Sequence, residues 1–306
     1  MLESYSVSLP KKSRQDDSLT SIYLCNLTKN LTAQSAHLNY AVLPIDDQID
    51  FLGWLMDRII INGDDYGLNE HCSKAIALAF AEGLITDTTM MATGEYFDEA
   101  LILAREQGFA DKIGIHLSLT EGLPLTEDIK SCSAFVENGR FRHGNNRLDL
   151  PLSADEEAAV YGELTAQVEK LLRAGVEITH ADSHHYIHTA VYLASVAARV
   201  CREHGILKIR LTKNIAVQKG ASTPVKENFN YWIRSQGFRT TDYFGSLRDI
   251  GSSEIPDNCE ILVHPDFDKN GVLIDRTGMQ DGFPTGKKLP DLQRERNAEL
   301  TGYKYL

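Results

Sequence analysis

The chain of 306 residues has no run of about 18 apolar residues, so nothing in it reads as a membrane-spanning helix. Its N-terminus lacks the basic-then-apolar layout of a signal peptide. Cysteine is sparse: five residues (Cys25, Cys72, Cys132, Cys201 and Cys259), odd in number, scattered and without a CxxC pair. That excludes a disulfide scaffold and a zinc ribbon, and points to a reducing compartment, with the cytoplasm as the expected location. Positive charge is in deficit, 31 Lys and Arg against 43 Asp and Glu for a net charge of −12, with no basic run to offset it locally. Nucleic acid is therefore not expected as a partner. No glycine-rich phosphate loop follows the first apolar run, which removes the main support for a dinucleotide-binding fold.

What remains is ordinary for a soluble folded protein, with 42% hydrophobic and 24% charged residues. Residues 1–55 are polar and show no sustained period, so they are expected to form a poorly structured extension, with 56–306 as the folded domain. Met56 precedes the first apolar run by two residues, and a chain starting there is expected to keep the same core. From that point short β-rich runs (58–62, 88–92, 113–119, 177–184, 207–212, 242–246 and 260–264) alternate with helical stretches (70–83, 97–108, 154–174, 190–205 and 223–237). Ser153 with Glu156 reads as a capping box, and Gly175 as a stop. The expected fold is α/β, a (β/α) barrel of about seven strands, incomplete or distorted, with its site at the C-terminal ends of the strands. Residues 121–152 read as a long loop carrying Arg140, Arg142, His143 and Arg147.

Four segments carry chemistry. Asn62-Gly63-Asp64-Asp65-Tyr66-Gly67 follows Ile59-Ile60-Ile61, and adjacent carboxylates at a strand end can divide two tasks, holding a cation and accepting a proton; an ordinary polar turn reads equally well. In the second segment Ile113, Ile115, Leu117 and Leu119 alternate with His116 and Ser118, which in a barrel turns His116 inward, where a lone histidine is more often a core residue than a ligand. The third, residues 180–188, holds four of the chain's ten histidines. There His180, Asp182 and His184 share a strand face, and His188 returns towards His184 if a helix follows. Imidazole is the commonest ligand for a borderline cation, and a neighbouring carboxylate can fix its tautomer. The fourth is an apolar strand that ends in His264. Polar residues thus meet at the C-terminal ends of four separate strands, where barrel enzymes keep their active sites.

The blocks IIINGDDYGLNE, GLITDTTMMATG, IGIHLSLTEGLPLT, THADSHHYIHT and LVHPDF resemble the YdjC-like carbohydrate deacetylase family, which includes chitooligosaccharide deacetylases and a hopanoid-associated branch. In order and spacing they cover residues 56–268. Residue by residue, the resemblance implies Asp65, His116 and His184 as ligands of one divalent metal ion, magnesium or zinc, and Asp64 as general base. It implies His264 as general acid, with His188 as the rival for that role. The implied reaction removes the N-acetyl group of an amino sugar or short N-acetylglucosamine oligosaccharide and releases acetate. The resemblance leaves monomer and homodimer both open. Residues 1–55 have no counterpart in the family, relatives often continue past the position of Leu306, and Gly63 and Tyr66 replace a common alanine and phenylalanine. Tyr66, Tyr96 and Tyr186 either stack on sugar faces or simply pack. The alternative function is metal-dependent hydrolysis of another small amide, lactam or ester on the same barrel, since barrels host many reactions. A non-catalytic binding protein would be marked by loss of Asp64 or Asp65, and both are present.

Overall fold

The computed structural model describes residues 58–143, 150–215, 223–250, 256–277 and 299–306. The expected extension over residues 1–55, the start at Met56 and Arg147 lie outside the described residues. In chain order the strands are β1 (Arg58–Tyr66), β2 (Asp87–Met90), β3 (Ile113–Leu117), β4 (Val136–Glu137), β5 (Arg140–Phe141), β6 (Ala181–Ser183), β7 (Tyr243–Ser246), β8 (Cys259–Val263), β9 (Pro265–Phe267), β10 (Leu273–Asp275) and β11 (Glu299–Leu300). The helices are α1 (Glu70–Ala81), α2 (Phe97–Glu106), α3 (Glu127–Lys130), α4 (Ala154–Arg173), α5 (Ala194–Glu203), α6 (Thr223–Ser235) and α7 (Leu247–Ile250).

Every residue of β1 after Arg58 is buried, as required of a parallel strand covered on both faces. It stands inside a curled, half-barrel parallel sheet of order β6-β3-β2-β1-β8-β7, and β11 pairs with its first two residues. Helices of the expected register join these strands. Asn69 caps α1 by accepting from the Cys72 amide at 2.9 Å. Ser153 and Glu156 form the capping box of α4, with Gly175 in the left-handed region at φ 79° just past its end. Val160, Leu164, Val168 and Leu171 of α4 recur at helical spacing and join the same core as the sheet.

The expected run 207–212 is not a ladder strand. It makes two isolated parallel bridges, Ala181 with Ile209 and Lys208 with Arg239. A contact from another element diverts it: the Thr212 amide, due to continue the ladder, donates instead to the side chain of Asn230 on α6 at 2.8 Å. The 121–152 loop also holds more structure than expected, namely α3 and the antiparallel pair of β4 and β5. Its first residues are tied to α4, because buried Glu163 accepts from the amides of Leu125 and Thr126 at 3.0 and 2.9 Å. Gly114 of β3 answers a packing demand, since a Cβ there would lie 2.6 Å from the His180 ring.

Candidate active site

Asp64 and Asp65 are both buried at the end of β1. Successive side chains on a regular strand face opposite ways, so two adjacent inward carboxylates need an irregularity. β1 provides one: Gly63 pairs with Thr88 and Tyr66 with Met90, leaving one extra residue on β1 across that interval. Such a bulge re-aims side chains. Within it Asp65 takes φ 72°, a left-handed conformation that aspartate adopts more readily than most residues.

The Asp65 Oδ1 atom lies 3.1 Å from His116 Nε2 and 2.8 Å from His184 Nδ1. Each imidazole is anchored on its far side by another carboxylate. His116 Nδ1 meets Asp182 Oδ1 at 2.6 Å, and His184 Nε2 meets Glu121 Oε2 at 3.0 Å. Asp65 Oδ2 faces Arg276 Nη2 at 2.5 Å. Burial opposes ionisation of Asp65, but the hydrogen bonds from His116 and His184 outweigh it and hold the carboxyl well below the usual range. Burial likewise opposes protonation of His116, yet Asp182 and Asp65 bring it to about 10. One donor atom from each of Asp65, His116 and His184 lies within 4.8 Å of the others, so this buried group can hold a metal ion. The donor set fits one: an imidazole whose outer nitrogen is hydrogen-bonded to a carboxylate has its tautomer and orientation fixed for ligation through the inner nitrogen.

A second set, Asp64, His116 and Asp182, is equally close. There the cation is already supplied by the chain. Fully buried Arg210 places Nη1 and Nη2 2.7 Å from the two oxygens of Asp64, Nη1 2.5 Å from Asp182 and Nε 2.6 Å from Glu260. Burial alone would raise the Asp64 pKa; the Arg210 guanidinium overrides it and holds the carboxyl at about 2. Asn62 Nδ2 also donates to Asp64 Oδ1 at 2.9 Å.

The two histidines expected to compete as general acid are placed very differently. His264 follows β8 directly, and its Nδ1 atom is buried with no hydrogen-bond partner among the described residues. His188 is buried in the wall. Left-handed His185 and Tyr186, at φ 51° and 57°, turn the chain so that His188 comes back to Ser183. There the Ser183 hydroxyl meets Nδ1 at 2.5 Å, while Nε2 donates to the Arg210 carbonyl at 3.2 Å. Burial, with Arg210 behind it, lowers the His188 pKa to about 3. Tyr66 packs: it is fully buried, its hydroxyl donates to the Ala100 carbonyl and its ring meets Phe109 edge-on at 5.6 Å. Tyr186 is half-buried, 6.3 Å from Phe244 between ring centroids.

Arg210, Glu260, Glu121 and Arg276 are absent from the sequence-derived site. Two of them had a visible signal. Arg210 interrupts the apolar pair Ile209 and Leu211, and Glu260 is the second residue of the otherwise apolar strand β8, so each is a charge placed where only an opposite charge makes burial tolerable. Glu121 and Arg276 come from loops, whose direction no periodicity reports.

The fold and the site together describe a parallel α/β protein with a metal-competent Asp/His group at its strand ends and a second, arginine-held carboxylate beside it. The chain belongs to the YdjC-like protein family, which matches residues 58–302. A carbohydrate deacetylase of Listeria innocua serovar 6a is 30% identical over 210 residues, 69% of this chain and 82% of that protein. One from Clostridium beijerinckii is 28% identical over 256 residues, 81% and 99% of the two chains. A crystal structure from Enterococcus faecalis V583, named for cellobiose-phosphate cleavage, superposes with a TM-score of 0.61 at 24% identity, covering 81% of this chain and 98% of that one. At that identity the likeness bears on the fold alone.

Proposed function

We propose that this protein is a metal-dependent carbohydrate deacetylase that hydrolyses the N-acetyl group of an amino sugar or a short N-acetylglucosamine oligosaccharide. The observation that carries the reading is the convergence of Asp65, His116 and His184, each imidazole backed by its own carboxylate, beside the separately held Asp64. The relatives named carbohydrate deacetylase support the substrate class. Asp65, His116 and His184 would hold one divalent cation, and two imidazole nitrogens with one carboxylate suit zinc better than magnesium. When bound, such an ion lowers the pKa of a water and polarises the amide carbonyl.

The other work falls to the chain. Asp64 takes a proton from the attacking water. Held at about 2 by Arg210, it is ionised at every working pH, so its base form never limits the reaction and the acidity of the water must supply the driving force. His264, placed directly after β8 beside Asp64 and Asp65, delivers a proton to the departing amine. His188 cannot do so in place, because its Nε2–H is committed to a backbone carbonyl. The run 207–212 acts in this reading as the seventh strand of an incomplete barrel, on the strength of its two bridges, and it presents Arg210 to the interior.

The test pairs metal analysis of the purified protein with acetate release from N-acetylglucosamine and its oligomers, set against cyclic amides and esters. Bound divalent metal near one per chain with acetate release from the sugars is the expected result. Turnover of a lactam or ester in preference to every N-acetyl sugar overturns the substrate reading.

A further inference from the structure

The polar network does not end at Arg210. Tyr303, in a short 3-10 turn after β11, is fully buried. Its backbone is fixed on both sides, the amide donating to Asp87 Oδ1 at 3.0 Å and the carbonyl accepting from Lys208 Nζ at 2.5 Å. With the backbone pinned, the side chain reaches into the interior and meets two groups. Its hydroxyl donates to Glu260 Oε2, and its ring lies parallel to the His180 ring, 3.6 Å between centroids at an interplanar angle of 7°.

Both contacts lead to Asp64. Through the hydroxyl, Glu260 is held with its other oxygen 2.6 Å from Arg210 Nε, and the far side of that guanidinium grips both oxygens of Asp64. Through the ring, His180 is held with Nε2 3.2 Å from Asn62 Oδ1, and the amide end of Asn62 donates to Asp64 Oδ1. The tautomers agree along this second path. Asn62 uses its NH₂ on Asp64, so its oxygen accepts from His180 Nε2–H, which leaves Nδ1 to accept from the Thr179 hydroxyl at 2.8 Å. Every member from Tyr303 to Asp64 is buried and hydrogen-bonded, so the array has little freedom to relax.

We infer that Tyr303 is a positioning residue for Asp64, acting through Glu260 and Arg210 by its hydroxyl and through His180 and Asn62 by its ring. The inference rests on the reading of Asp64 as the base of a deacetylase. An aromatic side chain that merely filled space would be replaced without loss by phenylalanine. A positioning tyrosine would not, since the hydroxyl that phenylalanine lacks is what it places on Glu260 Oε2.

Tyr303→Phe keeps the ring on His180 and removes the bond to Glu260. The expected result is a kcat lower by about tenfold, the scale of one hydrogen bond, with KM, bound metal and melting temperature close to those of the unaltered protein. Glu260→Gln should lower kcat as well, and the double variant should be no slower than Glu260→Gln alone, because both changes act on one path. A readout free of catalysis accompanies these assays: solvent exchange of the Arg210 Nε–H followed by NMR in substrate-free protein, expected to be faster in Tyr303→Phe. Unchanged kcat and unchanged Nε–H exchange overturn the inference, as does a fall in kcat matched wholly by loss of folded protein. If the unaltered protein releases no acetate from any sugar while the Nε–H still loosens in Tyr303→Phe, the positioning of Asp64 stands and the substrate reading falls.

Discussion

The two buried acidic clusters of this protein are built alike and finished differently. Around Arg210, three carboxylates share one guanidinium, a group that stays charged at any working pH. Around Asp65 the nearest partners are two imidazoles, which exchange protons readily, and Arg276, whose side chain is 37% exposed. The first cluster is complete without any added ion and fixes geometry. The second balances its charge with protons that a metal ion can displace, as ligation through the inner nitrogens requires. Fixed charge supports the site, and exchangeable charge marks where a ligand enters.

The sharpest way to break this contrast is to remove the fixed charge. Arg210→Met leaves Asp64, Asp182 and Glu260 buried without the guanidinium they share, and should cost about 3–5 kcal/mol of stability in urea unfolding; a loss under about 1 kcal/mol would mean that the cluster does not hold the fold. At the exchangeable cluster, His116→Ala should fold and fail to retain divalent metal after dialysis, since only two protein donors remain. His264→Ala should keep its metal and lose turnover by about 10²-fold or more. His188→Ala should instead lose stability with near-normal turnover per folded molecule, and the reverse pattern would exchange the two roles. Asp182→Asn keeps all three ligands but weakens the anchor of His116, for an expected 10- to 100-fold loss of metal affinity by chelator competition.

The smallest expected effect lies away from both clusters. Asp87, which accepts from the Tyr303 amide, has its second oxygen buried without a partner among the described residues. Burial pushes its pKa up to about 6. Because the folded-state value is raised, ionisation costs stability progressively as pH climbs from about 4 to 6, and the cost is fully present above that. Asp87→Asn should therefore be more stable than the unaltered protein at pH 8, by about 1–3 kcal/mol, with the advantage gone near pH 4. An equal effect at both pH values would show that Asp87 does not titrate in this window.

Much of the frame was legible before the structure. The isoleucine run of β1, the alternation across β3, and the capping box and glycine stop of α4 are local signals, and they placed those elements within a few residues. The inward direction of His116 followed from period 2 together with the expected barrel, whose helices cover the apolar face. What sequence did not disclose was set by non-local geometry. The diversion of the Thr212 amide to Asn230, which thins the 207–212 run to two bridges, depends on a helix far along the chain. The burial of His188 depends on the paired left-handed backbone of His185 and Tyr186, which no side-chain pattern announces. The role of Asp182 was half visible: it shares a strand with the histidines, yet it serves His116 on the neighbouring strand and Arg210 from the next run.

The central claim separates two adjacent carboxylates by task, Asp65 to hold the ion and Asp64 to take the proton. Asp64→Asn tests it directly, with bound metal and acetate release from an N-acetylglucosamine oligomer measured on the same preparation. The amide keeps the shape of the side chain and cannot accept the proton, so the variant should retain its metal and lose turnover by about 10²- to 10⁴-fold. An Asp64→Asn protein that still releases acetate at near-normal rate, or that loses its metal as His116→Ala does, would contradict the division of labour.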